Sequence, residues 1–224
     1  MGIRNFINNW KYEILLFTLI QHLYIGIFVS NLQFYTKVLW PFNMILLGIA
    51  SIGIFADKGK LENSIKNILL VLVVIFPIGL PFLGQYSTFI YALYISYILF
   101  FGFIFYELMR FLVKPGYING DLISASFYGF FLLIEISVFL FSLLNFNNPQ
   151  AFKGVDSSFI ALTFIDMVYF SSITLTTIGY GDILPNTYST KLLAALFGIL
   201  GQFYSVVLIG ILISKFSSRE NIQL

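Results

Sequence analysis

Six apolar runs divide the chain, at residues 14–29, 38–55, 68–83, 89–106, 122–144 and 192–213. A helix needs about 17–25 largely apolar residues to cross the hydrocarbon core of a bilayer, so each run predicts a membrane span with frayed ends. Pro77 and Pro81 fall near one end of the third run, where a freed carbonyl is tolerated. Pro41 is expected in the first turn of the second, where a missing N–H costs little. Between the fifth and sixth runs the pattern changes. Residues 145–158 are polar, 159–176 are moderately apolar, and that second stretch ends in Ser171, Ser172, Thr174 and Thr176. A segment with such an end does not face lipid; it predicts a re-entrant helix buried among protein neighbours.

Composition strengthens the membrane reading. Of 224 residues 59% are hydrophobic and 10% charged, against about 25% charged in soluble domains. The net charge of +2 gives no reason to expect a nucleic-acid partner. The chain has no cysteine, which excludes disulfides and thiolate metal sites. Arg4 and Lys11 precede the first run as in a signal peptide, but no small-residue cleavage site follows Val29, so an uncleaved first span is expected. With the N-terminus inside, the inner segments carry Arg4, Lys11, Lys58, Lys60, Lys66, Arg110, Lys114, Lys215 and Arg219, and the outer ones Lys37, Lys153 and Lys191. This positive-inside bias places both termini in the cytoplasm and the re-entrant helix on the outer side. A single His and no nucleophile or metal-ligand constellation speak against an enzyme.

After that helix comes Thr177-Ile178-Gly179-Tyr180-Gly181-Asp182. Stripping water from K⁺ is costly unless rings of backbone carbonyls replace it. To aim successive carbonyls along one axis, the backbone must alternate into positive φ, which Gly179 and Gly181 reach without a steric penalty. The Thr177 hydroxyl adds an innermost oxygen, and Tyr180 braces the segment from the side. The negative end of the preceding helix favours a cation. Thr174–Asp182 resembles the pore region of potassium channels, whose filter reads Thr-Val-Gly-Tyr-Gly, with Ile178 in place of Val. The resemblance runs from about residue 164 to 185 and, more weakly, through the sixth run, where Gly201-Gln202-Phe203-Tyr204 is similar to inner helices of bacterial members.

That resemblance implies an all-α membrane fold with six transmembrane helices, a re-entrant pore helix and a selectivity filter, assembled as a homotetramer around a central pore, because one chain supplies only one filter segment. It implies a four-helix membrane domain over 1–116 and a pore domain over 117–224. Thr177, Ile178, Gly179, Tyr180 and Gly181 are expected to bind K⁺, with Thr176, Asp182, Tyr169 and Phe170 supporting the filter. No cofactor is expected beyond the permeant ion, and the plasma membrane is the expected location. Where many members carry a Trp pair that holds the filter Tyr and Asp, this chain has Tyr169 and Phe170, and Ile173 stands where some carry a Glu. A filter prone to inactivation or lost selectivity is therefore expected.

The fourth run contains no Lys or Arg, and Arg110 follows only at its end, three residues after Glu107, as an expected exposed pair. Moving sensor charges supply about 2.3 kcal/mol per 100 mV each, so a conventional voltage sensor is not expected. The short N- and C-terminal segments suggest that any controlling ligand binds the membrane domain or a separate regulatory protein. Gly201 is expected either to hinge the sixth helix or to pack closely. Gln202, Val206, Ile209 and Ile213 form a pore-lining stripe, with Ile209 and Ile213 as a hydrophobic gate or else buried, and Leu208 facing lipid. Asp166 is expected to begin the pore helix. His22 and Glu135 lie at similar membrane depth; separate bonds to a carbonyl and to the pore-helix region are the plainer expectation, and a proton-sensitive pair is the alternative. A weakly selective cation channel and a non-conducting regulatory subunit are the rival functions.

Overall fold

The computed structural model describes residues 10–51, 60–113 and 120–220, with the side chains of 60–63, 65–66 and 212–220 outside the description. Arg4, Lys58 and Lys114, the proposed 116/117 boundary and the side chain of Ile213 therefore lie outside the described residues, as do the side chains of Lys60, Lys66, Lys215 and Arg219.

The main helices are α1 (Lys11–Tyr24), α2 (Trp40–Ser51), α3 (Lys60–Leu83), α4 (Ser87–Val113), α5 (Gly120–Asn147), α6 (Ile160–Leu175) and α7 (Tyr188–Glu220). Two short strands, β1 (Phe152–Lys153) and β2 (Leu184–Pro185), pair antiparallel, with Phe152 opposite Pro185 and Lys153 opposite Leu184. Among the described residues, three helices are long and apolar enough to cross a membrane: Ser87–Val113, Gly120–Asn147 and Tyr188–Ile211. Asn67–Leu83 is apolar but shorter, and α1 has 14 residues before it tightens into a 3₁₀ turn, Ile25–Phe28.

The second run starts differently from its sequence expectation. The helical course begins at Leu32, where the Asn31 side chain accepts from Phe34 N at 3.0 Å as an N-cap. It passes through a π-helical stretch, Tyr35–Leu39, before reaching Trp40 and Pro41. Pro41 is therefore not in a first turn. Proline has no N–H and its ring clashes with the carbonyl four residues back; a wider turn placed just ahead of it relieves both faults. In α3, Pro77 leaves the Val73 carbonyl without its helical donor, and the Tyr97 hydroxyl of α4 fills the gap at 3.3 Å.

Cross-helix contacts give the directions. Glu13 meets Ser124 and His22 meets Glu135, so α1 and α5 run parallel. Tyr91 bonds Asn147 while Leu108 approaches Gly129, so α4 and α5 are antiparallel. Phe197 packs on Phe141 and Tyr204 bonds Ser126, so α5 and α7 are antiparallel too. In a bilayer such packing is driven by close van der Waals fit rather than by water exclusion. The core is correspondingly aromatic, with Tyr97, Phe101, Phe139, Trp40 and Phe164 interlocked at centroid distances of 4.8–6.3 Å. Each well-set aromatic pair adds about 0.5–1.5 kcal/mol.

Candidate functional site

A helix stands where the re-entrant one is expected: α6 covers Ile160–Leu175, with Phe159 extended before it and Thr176 ending it. Its last turn carries the segment that follows. Thr176 donates through both N and Oγ1 to Ser172 O, at 3.1 and 2.6 Å. Thr177 N donates to Thr174 O at 3.1 Å, and Ile173 O accepts from both Ile178 N (2.9 Å) and Gly179 N (3.1 Å). The backbone then alternates as the chemistry demands: φ is 62° at Thr177, 56° at Gly179 and 82° at Gly181. For glycine this is free, whereas for a β-branched residue it is strained and needs surrounding bonds to hold it. Thr177 is the member of this alternation that composition does not flag.

The supports divide. Tyr169 donates to Asp182 Oδ2 at 2.6 Å, and its ring stacks on Tyr180 at 6.5 Å with 5° between planes. The hydrogen bond from Tyr169 holds the Asp182 carboxyl below its usual value of 3.8. Phe170 makes no such contact. It is buried in a cluster with Phe141 of α5 and Phe152 of β1, both edge to face at 5.4 Å. Ile173 contributes its carbonyl while its side chain is buried.

Around the 177–182 segment the loops are tied down by a clamp that hydropathy does not reveal. Besides the β1–β2 pair, Asn186 N donates to Ala151 O (2.8 Å), Asn186 Nδ2 to Gln150 O (2.9 Å) and Thr190 Oγ1 to Ala151 O (3.0 Å). Gly154 has φ of 84° and presses against the Asp182 carbonyl so closely that a Cβ would collide with it. A glycine in a polar loop is the one signal that marked this position. Asp166 does not begin the pore helix as expected. It sits deeper within α6 and accepts from Asp156 N at 2.7 Å, tying the loop to the helix; the Asp156 carboxyl in turn is held below its usual value by Ser158.

Along α7 one face is buried through Ala194, Phe197, Gly201 and Tyr204. A Cβ on Gly201 would lie 2.6 Å from the Leu175 carbonyl, so this glycine lets α7 touch the end of α6. Gln202, Val206 and Ile209 share an exposed face of the single chain. Leu208 is half-buried and lines an apolar cavity of about 210 Å³ with Phe105 and Met109 of α4 and Leu133 of α5. Glu107 is buried, not exposed, and Arg110 reaches it at 3.5 Å.

His22 and Glu135 come together. Both are fully buried, with Nε2 3.2 Å from Oε1, at angles that fall short of a hydrogen bond. Neither finds the separate partner expected for it among the described residues. The His22 ring also packs on Trp40 at 6.5 Å and on Phe164 of the pore helix at 5.2 Å.

Residues 127–218 match the family model described as "Ion channel". Over 105 residues the chain is 37% identical to potassium voltage-gated channel subfamily KQT member 4 of Homo sapiens, covering 47% of this chain and 14% of that protein. It is 37% identical over 95 residues to subfamily KQT member 3 of Bos taurus, covering 42% and 11%. With two-pore potassium channel 1 of Arabidopsis thaliana it shares 43% over 51 residues, covering 23% and 13%. The match thus spans only 11% to 14% of each relative's own length. No solved structure gives a significant match.

Proposed function

We propose that this chain, which carries an ion channel domain and resembles potassium channels in its pore segment, is a K⁺-selective channel subunit working as a homotetramer. The observation that carries this reading is the left-handed backbone at Thr177, Gly179 and Gly181, every second residue, in a segment hung from the end of a re-entrant helix. Alternate reversal lets successive carbonyls face one side, and four such segments close the rings that replace a hydration shell. Thr177 to Gly181 hold the ion, Tyr169 with Asp182 steadies the outer end, Thr176 ties the inner end, and Phe170 anchors the pore helix to α5. The names of the relatives, all potassium channels, favour K⁺ over other cations.

The same reading takes six crossings, both termini in the cytoplasm and a plasma-membrane location. Parallel α1 and α5, with α4 and α7 antiparallel to α5, fit that up-and-down order. Residues 1–116 form a four-helix domain without the charges of a voltage sensor, and 117–224 form the pore domain. Gln202, Val206 and Ile209 line the inner pore, with Ile213 continuing the stripe.

Purified chain in liposomes is expected to pass K⁺ in a Ba²⁺-blocked flux and to show a bi-ionic reversal potential far to the K⁺ side of Na⁺. Equal K⁺ and Na⁺ permeation would favour the weakly selective alternative. No flux with either ion would favour a non-conducting subunit.

A further inference from the structure

The filter of this chain lacks two supports: Phe170 has no polar atom to offer, and Ile173 has no carboxylate. A different support arrives from the opposite side. At the end of α1 the Tyr24 hydroxyl lies 2.9 Å from Ser172 Oγ, in the last turn of the pore helix. The Ser172 hydroxyl spends its own proton on Val168 O at 2.7 Å, so Tyr24 is the donor. Ser172 is the residue whose carbonyl holds Thr176 by two bonds, and the next residue, Ile173, holds Ile178 and Gly179.

The placement of Tyr24 is itself fixed. Two residues earlier His22 lies buried 3.2 Å from Glu135 on α5 and packs on Phe164 of α6. The Tyr24 ring stands edge-on to Phe131 of α5 at 6.3 Å. Immediately after it the chain leaves the α-helix, so the hydroxyl sits on the last α-helical residue and moves with the end of α1.

We propose that Tyr24 is a positioning residue for ion selection: through Ser172 it holds the last turn of the pore helix, and with it the inner half of the filter, from the first helix. The shape of the filter then depends on where the first helix sits, which gives the four-helix domain a route to the filter that needs neither a charged sensor nor a lever at the cytoplasmic end. This inference rests on the channel reading above.

The test compares the wild-type chain with Tyr24→Phe, Ser172→Ala and the double variant, all reconstituted in liposomes. The readouts are Na⁺-to-K⁺ permeability and the decay of K⁺ flux at low and at high external K⁺. Tyr24→Phe removes one oxygen and keeps the ring on Phe131, so the fold is preserved. One hydrogen bond is worth roughly a three- to tenfold change in an equilibrium. Flux decay at low external K⁺ is expected to quicken by roughly that factor in either single variant. The double variant is expected to be no worse than the singles, and high external K⁺ to restore the wild-type rate by occupying the filter. Unchanged decay and selectivity in Tyr24→Phe, additive effects in the double variant, or a loss that external K⁺ does not reverse would each overturn the inference. If the wild-type chain passes no K⁺, the channel reading falls and takes the inference with it.

Discussion

The outer and inner halves of the pore region are built on opposite terms. Around the 177–182 segment, several polar groups are met from within the same chain: Asn186 and Thr190 on the 150–151 backbone, Asp166 on Asp156, Tyr169 on Asp182, Ser172 on Thr176, and Ile173 on Ile178 and Gly179. Toward the other end, α7 leaves most of itself bare. Only 22% of its most apolar stretch is buried, against 61% for α5. The 177–182 segment is therefore held by bonds within its own chain, whereas α7 presents an apolar surface that the chain itself leaves uncovered. A region that must hold oxygen atoms within fractions of an ångström relies on short bonds, whereas one that must open relies on apolar surfaces that separate without leaving hydrogen bonds unmade.

The sharpest way to break the contrast is at Gly181. With φ of 82°, Gly181→Ala forces an L-residue into a left-handed backbone once per subunit. K⁺ flux is expected to be abolished, while circular dichroism and oligomer size in detergent stay as in the wild type. Next in size is Gly154→Ala, where the added methyl meets the Asp182 carbonyl at a φ of 84°. Overpacking of this sort costs roughly 1–3 kcal/mol, to be seen as a lowered midpoint of thermal unfolding and a faster loss of selectivity.

A gentler break is Tyr169→Phe. A carboxyl held below its usual value contributes its interaction above that value and loses it as pH falls through the lowered one. Wild-type filters are therefore expected to keep conducting as external pH drops past 3.8, the ordinary value for Asp182. In Tyr169→Phe the loss should begin at higher pH, as K⁺ flux against external pH will show. The smallest expected effect separates neighbours on α7: Ile209→Ser raises resting K⁺ leak severalfold if Ile209 seals the conduit, while Leu208→Ser lowers thermal stability with little change in leak.

How much of this was legible beforehand follows the same division. The alternating backbone of 177–181 was legible because its requirement is local: a short motif and two glycines state it. The pore helix was bounded to within a residue at each end, since hydroxyls mark where it leaves apolar company. The packing partners were not legible. A helix in lipid is apolar on every side, so the polar and apolar faces that reveal contacts in a soluble protein are missing, and the packing of Leu208 beside Phe105 and Leu133 had no signal in the sequence. Tyr24 and Ser172 lie far apart in sequence and neither is unusual in its own segment. His22 and Glu135 were conspicuous by charge and depth alone; their meeting at 3.2 Å depends on the parallel course of α1 and α5.

That meeting also bears on the order in which the protein is made. His22 leaves the ribosome with the first helix, and Glu135 only with the fifth. Throughout the synthesis of the helices between, the first must wait in the membrane without the carboxylate its imidazole will face. A chain truncated before α5 would thus keep the buried histidine of its first helix without the carboxylate that lies 3.2 Å from it in the full chain, a mark by which quality control can recognise it.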